Sequence, residues 1–306
     1  MLVGGAELLV RGGSQLALLF RVPALVVGLT IVAFGTSTPE LATSLSAAWV
    51  AESTEMALAN VNGSNIANIL LVLGGAALIR PLRVERALLR REIPALLLLQ
   101  CLVPLLCIGG VVVWYEGVIL LLVGLGYNFL LLRQSFGLRG AAAEELQQEM
   151  MDEVGEASGG VGRNLGLLFV GMTILVVGAW LFIDGSVALA EMIGLSDRII
   201  GLTCVALGTS APELATAIVS AHRGEVDLAI GNSIGSNILN ISMVLALTAI
   251  VEPVQMLDQA AWTDLFAGLS ASLMLGVFIV MGGRLGRVVG ALMVSGYFGY
   301  MAWASF

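Results

Sequence analysis

Glu40 and Glu213 sit inside strongly apolar stretches of this chain, each as the last residue of the same hexapeptide, Gly-Thr-Ser-x-Pro-Glu. An ionisable side chain at membrane depth is costly and is a functional candidate by default. Thr36 and Ser37 precede the first glutamate, and Thr209 and Ser210 precede the second. Pro39 and Pro212 each remove a backbone donor and disrupt the turn before them. Carbonyl oxygens freed in this way are tolerated at membrane depth only where they line a cavity. The result is an all-oxygen donor set with two formal negative charges and no Cys, His or Met. Such a set suits hard cations such as Ca²⁺ and Na⁺, whereas softer metals favour sulfur or nitrogen. Two carboxylates balance one Ca²⁺, two Na⁺ or two H⁺, the mutually exclusive occupancy that antiport requires.

The hexapeptides belong to longer repeats. Gly28–Ser44 and Gly201–Ala217 are identical at 13 of 17 positions, offset by 173 residues. A second pair follows: Asn60–Leu70 (NVNGSNIANIL) and Asn232–Ser242 (NSIGSNILNIS) agree at 7 of 11 positions, offset by 172. Ser64 and Asn68 are four apart, as are Ser236 and Asn240, so each pair shares one helix face. These four are expected to line the site. Asn65 and Asn237 fit equally well as interhelical hydrogen-bond partners.

The elements that must position these residues are membrane-spanning helices. Apolar residues make up 58% of the chain and charged residues 12%, with a mean hydropathy of +0.98. Soluble domains carry about 25% charged residues. At about 20 apolar residues per crossing, ten spans are expected, over 2–20, 24–48, 56–79, 93–113, 115–133, 164–193, 198–221, 227–250, 260–282 and 285–305. The fold class expected is an all-α polytopic membrane protein of two five-helix repeats, residues 1–133 and 164–306, with helices two and seven interrupted. Residues 134–163 form the only long polar stretch, an acidic linker with one short helix expected over Ala141–Val154. Span one is short: only four residues precede Gly5-Ala6, whereas about a dozen apolar residues precede the matching Gly178-Ala179. Glu7 and Arg11, four apart on that helix, read as a mutually screened pair. The three cysteines lie in apolar runs without disulfide or zinc spacing and read as packing residues.

Orientation follows from arginine, since the chain has no lysine. Arg80, Arg83, Arg86, Arg90 and Arg91 crowd one turn, which the positive-inside rule places in the cytoplasm. Threading outward from that turn puts 12 of 14 arginines inside, with both termini outside and the linker cytoplasmic. Arg198 falls outside and Arg11 falls within span one. Five spans per repeat is an odd number, so the two copies are expected to cross the membrane in opposite senses. That inverted-topology plan is common among secondary transporters and puts the site near mid-membrane.

The paired Gly-Thr-Ser-x-Pro-Glu and Gly-Ser-Asn-Ile-x-Asn motifs resemble the α-repeats of the cation/Ca²⁺ exchanger superfamily, most closely its prokaryotic sodium/calcium exchanger-like members. The resemblance covers nearly the whole chain. It implies that Glu40 and Glu213 are the central ligands, shared by Ca²⁺ and Na⁺. It places Thr36, Ser37, Thr209, Ser210, Ser64 and Ser236 along the site, with Asn68 and Asn240 beside its centre. It also implies that the carbonyls of Ala33 and Ala206, seven residues before each glutamate, are backbone ligands. One departure matters: several members carry Asp in place of one Asn of the second motif, and here both Asn68 and Asn240 are neutral.

The function expected is Ca²⁺/Na⁺ antiport by alternating access in the plasma (inner) membrane of a prokaryote. The transported ions are Ca²⁺ and Na⁺, the other partner is the lipid bilayer, and no cofactor or nucleic acid is implied. The nearest alternative changes the driver and makes the protein a Ca²⁺/H⁺ or other cation/H⁺ antiporter. A passive channel is disfavoured, because a strong two-carboxylate site would hold Ca²⁺ too long for fast flow. An intramembrane enzyme using the glutamates as an acid pair lacks a nucleophile set, and the only histidine, His222, falls in a turn.

Overall fold

The computed structural model describes residues 1–49, 54–83, 91–136, 147–148, 151, 158–194, 205–256, 259–282 and 284–304. They are almost entirely helical. The helices are α1 (Leu2–Phe20), α2 (Ala24–Thr36), α3 (Thr38–Trp49), α4 (Thr54–Ile79), α5 (Glu92–Gly109), α6 (Trp114–Ser135), α7 (Val161–Met192), α8 (Ala206–Thr209), α9 (Ala211–Arg223), α10 (Val226–Val251), α11 (Gln259–Gly282) and α12 (Arg287–Ala304). Helices satisfy every backbone group within the segment, which a hydrocarbon solvent demands. Among the described residues six helices are long and apolar enough to cross a membrane, and seven if α2 and α3 are one bent span.

The interruption expected in span two is present. Helices α2 and α3 meet at a 42° bend around Ser37, whose backbone (φ −82°, ψ 7°) leaves the helical region. The matching residue Ser210 has nearly the same dihedrals (φ −85°, ψ 4°) between α8 and α9. Span four stops earlier than expected. Pro104 lies inside α5, Cys107–Gly109 tighten into a 3₁₀ turn, and Gly110 adopts φ +79° before a short strand. Residues 195–204, which hold the start of the expected span seven and Cys204, lie outside the described set, as does most of the expected linker helix.

An all-helical expectation missed two small features. First, the helices carry π-helical stretches at Gly28–Val32, Asn68–Leu73 and Asn240–Leu245. Second, four two-residue strands form antiparallel clips. Leu82–Arg83 (β1) pairs with Arg284–Leu285 (β4), and Val111–Val112 (β2) pairs with Val254–Gln255 (β3). The repeat offset carries β1 onto β3 and β2 onto β4, so the two clips are copies of each other that exchange halves.

Helix packing relies on glycine. Helix α2 runs alongside α10 in the same direction: a Cβ on Gly231 would lie 2.4 Å from the Leu25 carbonyl, and one on Gly235 would lie 2.5 Å from that of Leu29. Helices α1 and α7 cross antiparallel, with Gly12 against Asn164 and Gly5 against Gly171. Gly74 of α4 meets Gly290 of α12, and Gly117 of α6 meets Ala246 of α10, again antiparallel and again related by the repeat. Small residues let backbones approach closely where lipid provides no hydrophobic drive between helices. The main apolar core joins α2, α4, α5, α10 and α11, and a second cluster packs α1 against α7 and α9. Cys107 is buried in the main core, but Cys101 is exposed on α5 and is not a core packing residue.

Candidate ion site

The bend at Ser37 and its counterpart at Ser210 start new helices whose first turns carry Glu40 and Glu213. Proline fits that first turn because its missing N–H would have no intrahelical partner there. Pro39 has no N–H for the Gly35 carbonyl, and Pro212 has none for that of Gly208. The Ala33 carbonyl is partly engaged: it accepts the Ser37 N–H at 2.9 Å and the Thr36 hydroxyl at 3.4 Å. Ala206 opens α8. Helix α7 lies over both breaks, with Met172 against Gly35 and Ile183 against Gly208.

All ten side chains expected to supply ligands are buried. Glu40, Glu213, Ser37, Ser64, Ser236, Asn68, Asn240 and Thr209 are 0% exposed, and Thr36 and Ser210 are 1% exposed. The structure brings the motifs of the two repeats together. Ser37 donates to Glu213 Oε1 at 3.4 Å across the repeats, and Ser236 donates to the same oxygen at 3.4 Å from α10. Ser64 of α4 donates to Glu40 Oε1 at 3.5 Å. Thr36 donates to Asn232 Oδ1 at 3.0 Å and lies 3.5 Å from the Ser236 hydroxyl.

Two residues of the site were quoted in the repeats but not singled out. Asn60 donates to the Glu40 carbonyl at 3.1 Å and to Ser44 at 2.9 Å, and its Oδ1 accepts from Thr209 at 3.4 Å. The contact from Thr209 to Asn60 is the repeat image of that from Thr36 to Asn232: each motif's threonine reaches the other half's asparagine. The signal was available, since Asn60 and Asn232 begin the second matched pair.

The second-motif asparagines divide their roles. Asn65 accepts from Asn237 through its carbonyl and from Asn240 through its Oδ1, both at 3.1 Å, so it joins α4 to α10. Asn68 has no partner at either side-chain atom. Both Asn68 and Asn240 begin π-helical stretches, so the simple α-helical spacing holds only up to them. Among the described residues, the buried oxygens without a hydrogen-bond partner include five of the expected ligands, Glu40 Oε2, Glu213 Oε2, Ser210 Oγ, Asn68 Oδ1 and Asn240 Oδ1, and also Asn237 Oδ1 of the second motif. Buried polar atoms are normally satisfied, and an unpaired carboxylate oxygen in low dielectric is especially costly. A cluster rich in unpaired acceptors on interrupted helices has the chemistry to accept a hard cation.

A further duplicated pair escaped sequence reading. Glu92 of α5 is hydrogen-bonded to Tyr127 of α6, and Asp264 of α11 to Tyr300 of α12. Offsets of 172 and 173 relate them, the same as those of the site motifs. These pairs tie neighbouring helices within each half and are not among the residues bonded to Glu40 or Glu213.

The family model described as "Sodium/calcium exchanger protein" matches residues 1–133 and 163–306. The chain is 34% identical over 306 residues to inner membrane protein YrbG of Escherichia coli (strain K12), covering 99% of this chain and 93% of that one. It is 29% identical over 335 residues to the sodium/calcium exchanger MaX1 of Methanosarcina acetivorans, covering 98% and 94%. A solved structure of the sodium-calcium exchanger NCX_Mj, soaked with Na⁺ and Sr²⁺, superposes with a TM-score of 0.83 at 31% identity, covering 98% of this chain and 94% of that one. The family model covers nearly the whole chain, the fold is that of a solved exchanger, and the chain belongs to the sodium/calcium exchanger family of membrane antiporters.

Proposed function

We propose that this protein exchanges Ca²⁺ for Na⁺ by alternating access at a mid-membrane site whose charged ligands are Glu40 and Glu213. The observation that carries the proposal is the set of buried, donor-free oxygens on the two interrupted turns and the two second-motif helices. Ser37, Thr36, Ser64, Ser236, Thr209 and Ser210 supply hydroxyls around them. Asn68 and Asn240 supply amide oxygens, and the remaining lone pairs of the Ala33 and Ala206 carbonyls complete the set. With neutral asparagines the site carries −2 when both glutamates are ionised. One Ca²⁺ or two Na⁺ cancels that charge, so the ions exclude each other on electrostatic grounds.

Two inverted five-helix repeats, 1–133 and 164–306 joined by the cytoplasmic linker 134–163, provide the access mechanism. If the halves adopt slightly different conformations, exchanging them opens the site to the opposite side. The relative directions of α1 and α7, α2 and α10, α4 and α12, and α6 and α10 all agree with this plan. So does the gathering of basic turns: β1 sets Arg83 beside Arg284, Arg287 bonds the Ile79 carbonyl at 3.3 Å, and Arg80 packs on Gly224. That face is assigned to the cytoplasm of a prokaryotic cell, with both termini outside.

The test is radiolabelled Ca²⁺ efflux from loaded proteoliposomes. Exchange predicts a saturable efflux that needs a replacing cation on the opposite side. Efflux that proceeds equally without one would identify a channel and refute the proposal.

A further inference from the structure

Away from the ion site, Arg11 of α1, Arg163 at the start of α7 and Arg223 at the end of α9 line one cleft of about 310 Å³. That volume is at the small end of the roughly 300–1,000 Å³ typical of ligand clefts. Asn164 contributes an amide to the lining, and Leu8 and Leu167 contribute apolar surface. The neighbouring charges are only partly matched. Glu7 bonds Arg11 at 2.8 Å and Arg223 at 2.7 Å, and Glu225 bonds Arg223 at 2.8 Å while accepting from Ser14. Among the described residues, three guanidinium groups thus face two carboxylates, leaving one positive charge. Arg163 forms no ion pair with a described residue.

We propose that this cleft binds the phosphate of an anionic phospholipid headgroup from the leaflet on the side of Arg163 and Arg223. Guanidinium groups hold phosphate oxygens through paired, charge-assisted hydrogen bonds. A basic pocket between transmembrane helices on the cytoplasmic side is a recognised headgroup setting. A lipid fits better than a free anion because the cleft has a leucine wall, and α7 continues it with an apolar stripe: Val170 and Val177, seven and fourteen residues after Arg163 on the same helix face, are 48% and 42% exposed. The acyl chains would run along that surface. Because the lining comes from α1, α7 and α9, a bound lipid would brace the α1–α7 pair against the helix that carries Glu213.

Native mass spectrometry of the full chain in detergent tests this, using dioleoyl phosphatidylglycerol, dioleoyl phosphatidylcholine and inorganic phosphate as probes. Phosphatidylglycerol should be retained by the wild type and by Arg91→Gln, whose guanidinium bonds Gln134 elsewhere. The double variant Arg11→Gln/Arg163→Gln should retain at least about tenfold less, and Arg11→Lys/Arg163→Lys should recover part of that loss because charge returns without the planar fork. Equal retention by wild type and the glutamine variant would overturn the proposal, as would equal retention of phosphatidylcholine. Displacement of the lipid by inorganic phosphate would assign the cleft to a free anion and overturn the lipid source. A large gain in lipid when linker acids Glu149, Asp152, Glu153 and Glu156 become amides would make the chain's own linker the occupant, with the same consequence.

Discussion

Each glutamate has one oxygen held by serine and one with no donor among the described residues. In the proposed site these free oxygens are what a bound cation would satisfy. Glu40→Gln and Glu213→Gln should each reduce Ca²⁺ exchange by at least about 100-fold, since removing one partner from a buried charge arrangement costs roughly 3–5 kcal/mol. Radiolabelled Ca²⁺ uptake checks this, and near-normal flux in either variant would refute a shared site. Asn240 tests the neutral positions. Its Nδ2 is committed to Asn65, and its Oδ1 is unpartnered. Asn240→Asp would replace that donor with an acceptor facing Asn65 Oδ1 and add an ionisable group. Ca²⁺ transport should therefore become more dependent on pH, rising as the carboxyl ionises, while a pH profile identical to wild type would place Asn240 outside the site. The hexapeptides were legible because a polar cluster is conspicuous in apolar sequence and this one occurs twice. Asn60 and Asn232 were less so, since their roles depend on contacts between halves that no spacing within one half reveals.

Helices α2 and α10 touch through backbone, so their packing is sensitive to one methyl group. Gly231→Ala would place a carbon 2.4 Å from the Leu25 carbonyl, and overpacking of this kind costs about 1–3 kcal/mol. The variant should melt earlier and transport slowly. Gly126→Ala on α6, where nothing lies within 4 Å, should be neutral. Comparing the two by thermal unfolding separates close helix approach from any general intolerance of alanine. Tyr127→Phe should also destabilise, by about 1–3 kcal/mol, because it leaves the buried Glu92 carboxylate without its hydroxyl partner. A melting temperature unchanged from wild type would show that the pair carries no structural weight. Helix positions were readable from apolar runs, and the bend at Ser37 from Pro39. The π-helical stretches at Asn68 and Asn240 were not, since a single extra residue per turn leaves hydropathy unchanged. Nor were the two-residue clips, whose pairing is set by helix ends from opposite halves.

The whole molecule is organised by exchange between its halves: threonine to asparagine, clip to clip, glycine contact to glycine contact. Arg11 falls within α1, as expected for span one, and lines one cleft with Arg163 and Arg223. The proposed inverted topology requires the two clips to lie on opposite sides of the membrane. Single cysteines at Arg83 and Gln255, both exposed, should label from opposite sides of the membrane once Cys101, Cys107 and Cys204 are replaced. Labelling of both from one side would contradict the inverted arrangement and the access mechanism with it. Coupling is the property that joins site, helices and halves. It is measured most directly as Ca²⁺ uptake into proteoliposomes under an outward Na⁺ gradient, an imposed pH gradient, or neither. The account predicts uptake that follows the Na⁺ gradient and is lost when Na⁺ is equal on both sides. Uptake that ignores Na⁺ and follows the pH gradient would contradict it and make the protein a proton-driven exchanger.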